Sequence, residues 1–351
     1  MTTPSDTVTP GRLPRWEDAE VVDCDVRVTV SSVEVLTPFL EPRWQDYMAE
    51  SGVRTIGSGR YPTLPGASTD LHLLRDRLLD PWQTSHAVLN CGSEISSIHN
   101  EDWALAMARA VNDWLATEWL AHDPRLRGSI VVPLQNPGSA AEEIERLAQH
   151  RGFVQVLLPV RAEAPLGKRR YWPIYEAAER HSLAVGIFAG GTSGNPSTPV
   201  GWPSYYLEDY VSYAQAFQAQ VVSLVSEGVF TKYPNLRVVL TEAGFTWLPG
   251  LMWRFDKNWK GLRREVPWVD RPPSQIIRDH VRLTTQPLDE PDNSRHLVET
   301  IEQLGSDELL MFATNYPHWQ FDSDEGVLPS GLRPEVERRI LAGNAHDTYR
   351  L

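Results

Sequence analysis

FVQVLLPV, from Phe153 to Val160, is apolar at nearly every position. A strand with one face in water alternates apolar and polar residues, whereas a parallel strand covered on both faces reads as a short continuous apolar run. Before it, the segment Ser139 to His150 sets Ile144, Leu147 and Ala148 on one helical side and acids on the other. After it, Pro173 opens a second helix that runs to His181, near a first turn where the missing N–H of proline costs nothing. Helix, buried strand and helix in succession are the repeating unit of a parallel α/β fold.

The unit recurs in both directions. Toward the N-terminus stand GSIVVPLQ (Gly128 to Gln135), HAVLNC (His86 to Cys91) and VVDCDV, which begins after Glu20. Toward the C-terminus come LAVGIFAGG (Leu183 to Gly191), LRVVLTEAG (Leu236 to Gly244), HVRLTTQP (His280 to Pro287) and LLMFATNYP (Leu309 to Pro317). Further helices are expected at Trp103 to Leu120, Leu207 to Ala219, Leu248 to Arg264, Ser294 to Leu304 and Arg333 to Leu341. Eight strands alternating with helices predict a closed (β/α)8 TIM barrel in preference to an open, doubly wound sheet.

This reading divides the chain into a Pro/Thr/Ser-rich arm, residues 1–17, and one barrel domain, residues 18–351. The excursion over residues 30–85 is too long for a barrel connection. It holds a helix at Pro42 to Met48 and a Gly/Pro-rich stretch from Gly57, and insertions of this kind form lids or partner contacts.

Composition excludes several function classes. A formal charge of -13 opposes unspecific binding to nucleic acid or anionic lipid. No apolar window is long enough to span a membrane, and the N-terminus lacks the pattern of a secretory signal. The two cysteines, Cys24 and Cys91, lie in apolar surroundings and cannot build a disulfide scaffold, which points to buried thiols in a cytoplasmic protein. There is no GxxxxGK phosphate loop, no dinucleotide glycine pattern and no paired CxxC.

In a barrel of this kind the chemistry sits where the strands end. Those positions carry Asp23, Asp25 and Arg27 after strand one, Asn90 after two, Gln135 after three and Arg161 after four. Phe188 follows in strand five, Glu242 in six, Thr285 and Gln286 in seven, and Asn315 with His318 in eight. Arg27 has no lone pair to offer a metal and stays cationic, so it pairs with Asp25 or Glu242 or clamps a carboxylate ligand. Arg27, Glu242 and His318 are the catalytic candidates, His318 as acid or base. Asp25 and Glu242, together with Asp322, are what remains for a residual ion such as zinc. His280 reads as an entrance or packing residue.

Taken in order, VVDCDV, RLRGSIVVPLQNP, EGVFTKYPNLRVVLTEAGFTWLP with MWRFDKNW, RLTTQPLDEP and FATNYPHWQFDSD resemble the amidohydrolase-related family that includes the aminocarboxymuconate-semialdehyde decarboxylase group. The resemblance covers Val21 to Leu351 and implies a barrel of the metal-dependent hydrolase type. It also implies metal-binding histidines where this chain has Arg27, Thr29 and Phe188, an aspartate where it has Asn315, and histidine or glutamate at Glu242. The chain is similar, too, to subunits of two-subunit 2-aminoisobutyrate hydroxylases. That branch implies an accessory, non-catalytic subunit with no cofactor of its own, joined in a hetero-oligomer to a paralogous barrel carrying a dinuclear iron or manganese centre, with homodimer contacts as a further mode of assembly. The alternative is a decarboxylase, hydrolase or oxygenase acting on a small carboxylate through an altered site.

Overall fold

The computed structural model describes residue 16 and residues 19–51, 66–91, 95–191, 194–318 and 328–351. The Gly57 stretch up to residue 65, Asp322 and most of the N-terminal arm lie outside the described residues. No helix among the described residues is long and apolar enough to cross a membrane.

Eight strands are hydrogen-bonded in chain order, every adjacent pair parallel. They are β1 (Val21–Arg27), β2 (Thr84–Asn90), β3 (Leu126–Val131), β4 (Phe153–Pro159), β5 (Ala184–Phe188), β6 (Val238–Thr241), β7 (Val281–Thr284) and β8 (Leu310–Met311). The cylinder closes where Cys24 N donates to Phe312 O at 2.9 Å and Arg27 N donates to Tyr316 O at 2.8 Å. The chain is therefore an α/β protein with the (β/α)8 TIM barrel that the alternating pattern predicts.

The later strands are shorter than the sequence suggests, because side-chain oxygens replace ladder acceptors at the mouth. Beyond Met311, Ala313 N donates to Thr285 Oγ1 at 3.1 Å and Thr314 N to Asp23 Oδ1 at 3.2 Å. Beyond Thr241, Glu242 turns into the left-handed region at φ 61° and donates its N–H to Thr284 Oγ1 at 3.1 Å. His280 does not open a strand; it closes the helix Pro273–His280 and stacks on Phe230 with centroids 4.6 Å apart.

Most apolar side chains form one core between strands and outer helices. A second cluster joins Val22, Val88, Val154, Ala184, Val239 and Met311 to Ala342, Ala345 and Tyr349 near the chain's end. The helix Asn344–Tyr349, which sequence pattern does not single out, is thereby packed against residues from six of the strands. Cys24 and Cys91 are free and buried.

Candidate active site

The mouth is built around one cation. Arg27 closes β1, and its Nη2 donates to Glu242 Oε1 just past β6 in an ion pair. The arginine side chain is 29% exposed and the glutamate side chain 4%. Glu242 is held for this contact by its positive φ and its bond to Thr284. Only one of the guanidinium's roughly five N–H donors is used by an observed hydrogen bond among the described residues.

Asp25, buried two positions earlier, accepts from Asn90 Nδ2 at 2.7 Å through Oδ1, while its Oδ2 is buried with no partner among the described residues. Burial first, and then the nearby charge of Glu242, push its carboxyl well above the usual range; Arg27 and Asn90 only partly oppose this. The result is a carboxyl biased toward its protonated form beside a guanidinium–carboxylate pair. Asp23, fully buried, is pushed up to about 6 by burial against three hydrogen bonds that favour its charged form.

An aromatic wall stands over this centre. Tyr206, Tyr210 and Tyr213 lie on the helix Tyr206–Ser226 at spacings that share one face. Tyr210 stacks on His318, centroids 6.2 Å apart and planes 11° off parallel, and lies 5.9 Å from Tyr206. Burial, with repulsion from Glu242, raises the Tyr210 phenol to about 12. Burial, and then the positive field of Arg27, lower His318 to about 4, so its ring is neutral at pH 7. Behind the wall, Arg161 Nη2 donates to Asp209 Oδ1 at 2.5 Å, and its Cζ sits 4.2 Å from the centroid of the Tyr213 ring. Reading strand ends misses these tyrosines, although YLEDYVSY already places them one helical turn apart.

The remaining positions are scattered. Asn315 is buried at φ 59° and its carbonyl accepts from His318 N at 2.8 Å. Phe188 is buried at the end of β5, its ring folded over Gly190, where any Cβ would come within 2.1 Å of it. Thr29 is exposed and tied instead to the insertion, its Oγ1 2.9 Å from Ser68 Oγ. Gln135 serves the loop before the helix Glu101–Leu115, donating to Ile95 O and Ile98 O.

The family described as Amidohydrolase matches residues 22–351. A gamma-resorcylate decarboxylase from Polaromonas sp. (strain JS666) is 25% identical over 302 residues, covering 83% of this chain and 91% of that protein. The fold is similar to 5-carboxyvanillate decarboxylase from Sphingomonas paucimobilis, with TM-score 0.72 and 20% identity over 95% of this chain and 100% of that one. It is similar as well to a dihydroxybenzoic acid decarboxylase from Polaromonas sp. JS666 with bound manganese and the inhibitor 2-nitroresorcinol, with TM-score 0.69 and 21% identity over 95% and 97% of the two chains.

These relatives correct two expectations. They are decarboxylases, so the reading as a non-catalytic accessory subunit of a hydroxylase is overturned. Its premise was that lost metal ligands mean a lost site, yet Arg27 keeps a fixed positive charge at the mouth and the polar groups around it stay organised. The expectation that no cofactor belongs here is likewise corrected, because a relative of this fold holds manganese. The described residues of this chain do not fit such an ion in the usual way: no three of their His, Cys, Asp or Glu side chains converge. A guanidinium and a phenylalanine ring stand where the resemblance places imidazole ligands. The chemistry below is accordingly derived from the chain's own side chains.

Proposed function

Since this chain belongs to the Amidohydrolase family, we propose that it is a decarboxylase acting on a small aromatic acid. The observation that carries this reading is the Arg27–Glu242 pair beside the buried Asp25, faced by Tyr210 and His318. A guanidinium with unused donors takes a carboxylate or phenolate in a fixed orientation. Parallel aromatic rings take a flat substrate. The relatives that act on gamma-resorcylate and 5-carboxyvanillate support a hydroxybenzoate as the substrate class.

Asp25 Oδ2 delivers its proton to the ring carbon that bears the carboxylate, interrupting aromaticity. The bond from that carbon to the carboxylate then breaks, its electron pair restores the ring, and CO2 leaves. Water returns a proton to Asp25, and the hydroxide left behind combines with the released CO2 as bicarbonate. Arg27 holds the anion through both steps, Glu242 fixes the guanidinium, and neutral His318 orients a hydroxyl substituent as a hydrogen-bond acceptor. Such positioned proton transfer is worth about a hundredfold to ten-thousandfold in rate. We place this activity in the cytoplasm, a reading supported by two free cysteines with no disulfide between them.

The test is a panel of hydroxybenzoates offered to the purified chain in D2O, with and without added Mn2+. Release of CO2 and a single deuterium at the vacated carbon are expected. No CO2 from any member under either condition, together with no incorporation of labelled CO2 into the corresponding phenols, would overturn the proposal.

A further inference from the structure

The helix Tyr206–Ser226, which carries the aromatic wall, is entered through a long connection from Phe188 at the end of β5, rich in Gly, Ser and Pro. A link of that length does not dictate where the first turns of the helix stand. The cap fixes the start only locally, with Glu208 Oε2 accepting from Ser204 N at 3.0 Å and from Tyr205 N at 2.8 Å. Ties to the barrel come from the segment that leaves β4. Gln220 Nε2 donates to Val160 O at 2.7 Å, Leu166 N donates to Gln220 Oε1 at 2.7 Å, and Gly167 N donates to Ser223 Oγ at 3.1 Å. These hold the second half of the helix.

Arg161 extends the same segment to the first half. Its Nη2 donates to Asp209 Oδ1 at 2.5 Å, the two side chains being 1% and 3% exposed, and its Cζ lies 4.2 Å from the centroid of the Tyr213 ring. The exit of β5 lies directly against it. Gly190 O accepts from Arg161 N at 3.2 Å, and Gly191, at φ 81°, leaves no room for a Cβ, which would come within 2.2 Å of Arg161 O. The arginine is therefore gripped by strand exits at its backbone and by the helix at its side chain.

Asp209 precedes Gln220 by about three turns, or about 16 Å of helix. A rod moored at one point can rock, whereas two moorings set its angle. A tilt of about 10° about Gln220 would carry Tyr210 by about 2–3 Å, enough to change the fit of a flat ring. Stability alone does not call for an ion pair here, since apolar residues of similar volume often hold a buried position as well or better. What the pair supplies is direction, because a planar guanidinium bonds a carboxylate in few orientations.

We infer that Arg161 is a positioning residue that acts through Asp209 and Tyr213 to fix the first turns of this helix and so the place of Tyr210 opposite His318. This rests on the decarboxylase reading for its kinetic consequence but not for its geometry, and the experiment separates the two.

Arg161→Met combined with Asp209→Leu replaces the pair by apolar side chains and strands no charge, so the urea midpoint should stay close to the native one. In proton NMR at pH 7, the ring signals of His318, assigned by their loss in His318→Gln, should shift in the same direction as in Tyr210→Leu, where the stacked ring is gone. For a substrate from the hydroxybenzoate panel, KM should rise about tenfold with kcat held within about threefold. Arg161→Lys, which keeps a cation for Asp209, should return both readouts most of the way. Should the double variant not fold, Asp209→Asn weakens the tie at nearly constant size and is read identically. His318 signals unmoved in a folded variant overturn the inference whether or not any substrate turns over, and so does an unmoved KM where the native protein is active. Shifted signals with no turnover by the native protein sustain the positioning and refute only the decarboxylase reading.

Discussion

Arg27 and Glu242 stand at the ends of β1 and β6, 215 positions apart in the chain, and the guanidinium of the first donates to the carboxylate of the second across the barrel mouth. The position where the resemblance implies a metal-binding histidine thus carries a cation that is part of the polypeptide. Its charge does not depend on an ion being present, which lets stability and chemistry be tested with the same substitutions.

Replacing Arg27 by Met strands a carboxylate whose side chain is only 4% exposed. Because the arginine itself is partly open to solvent, the loss should be about 1–3 kcal/mol, less than for a fully buried pair. Chemical denaturation of Arg27→Met against Arg27→Met with Glu242→Gln checks it. The second change should recover most of the stability, and equal losses in both proteins would show that the pair is not the cause.

Asp23 sets a pH window. Its folded value of about 6 lies above that of an unfolded aspartate, so the folded state holds the proton more tightly. Stability from this group is complete below about pH 4 and falls until about pH 6, by roughly 3 kcal/mol. Asp23→Asn keeps an oxygen for the N–H groups of Asp25 and Thr314 and can donate to Thr314 Oγ1. It should match the native protein near pH 4 and exceed it above pH 6, as urea midpoints across that range will show.

His318 offers a spectroscopic check of the mouth's charge. With a value near 4 it should show no titration between pH 5 and 8 in the native protein by proton NMR of its ring. Arg27→Gln removes the cation that helps depress it, so the midpoint should rise, though burial alone keeps it below that of an exposed histidine. A midpoint unmoved by Arg27→Gln would show that the charge of Arg27 does not depress it.

Tyr210 tests the aromatic wall separately from the acid. Tyr210→Phe keeps the surface that stacks on His318 and should leave KM within about threefold, whereas Tyr210→Leu should raise KM about tenfold with a smaller change in kcat. Steady-state kinetics on a hydroxybenzoate decide this. Equal effects of both substitutions would assign the role to the hydroxyl instead of the ring.

Sequence by itself determined the barrel and the identity of the mouth residues. Continuous apolar runs such as Phe153 to Val160 have one economical solution, parallel strands covered on both faces, and the residues that follow such runs must gather at one end. Strand ends were less legible, since at Ala313, Thr314 and Glu242 the N–H groups turn to side-chain oxygens of Thr285, Asp23 and Thr284, and no local periodicity records that exchange. The tertiary structure alone decided which mouth residues act together. Arg27 reaches Glu242 while Thr29, two positions on, turns outward to Ser68, and Tyr349 reaches Gln155 although 194 positions separate them. Pairing between distant side chains depends on strand register, helix rotation and the room left by single residues such as Gly186, and these are properties of the packed whole that a linear pattern does not carry.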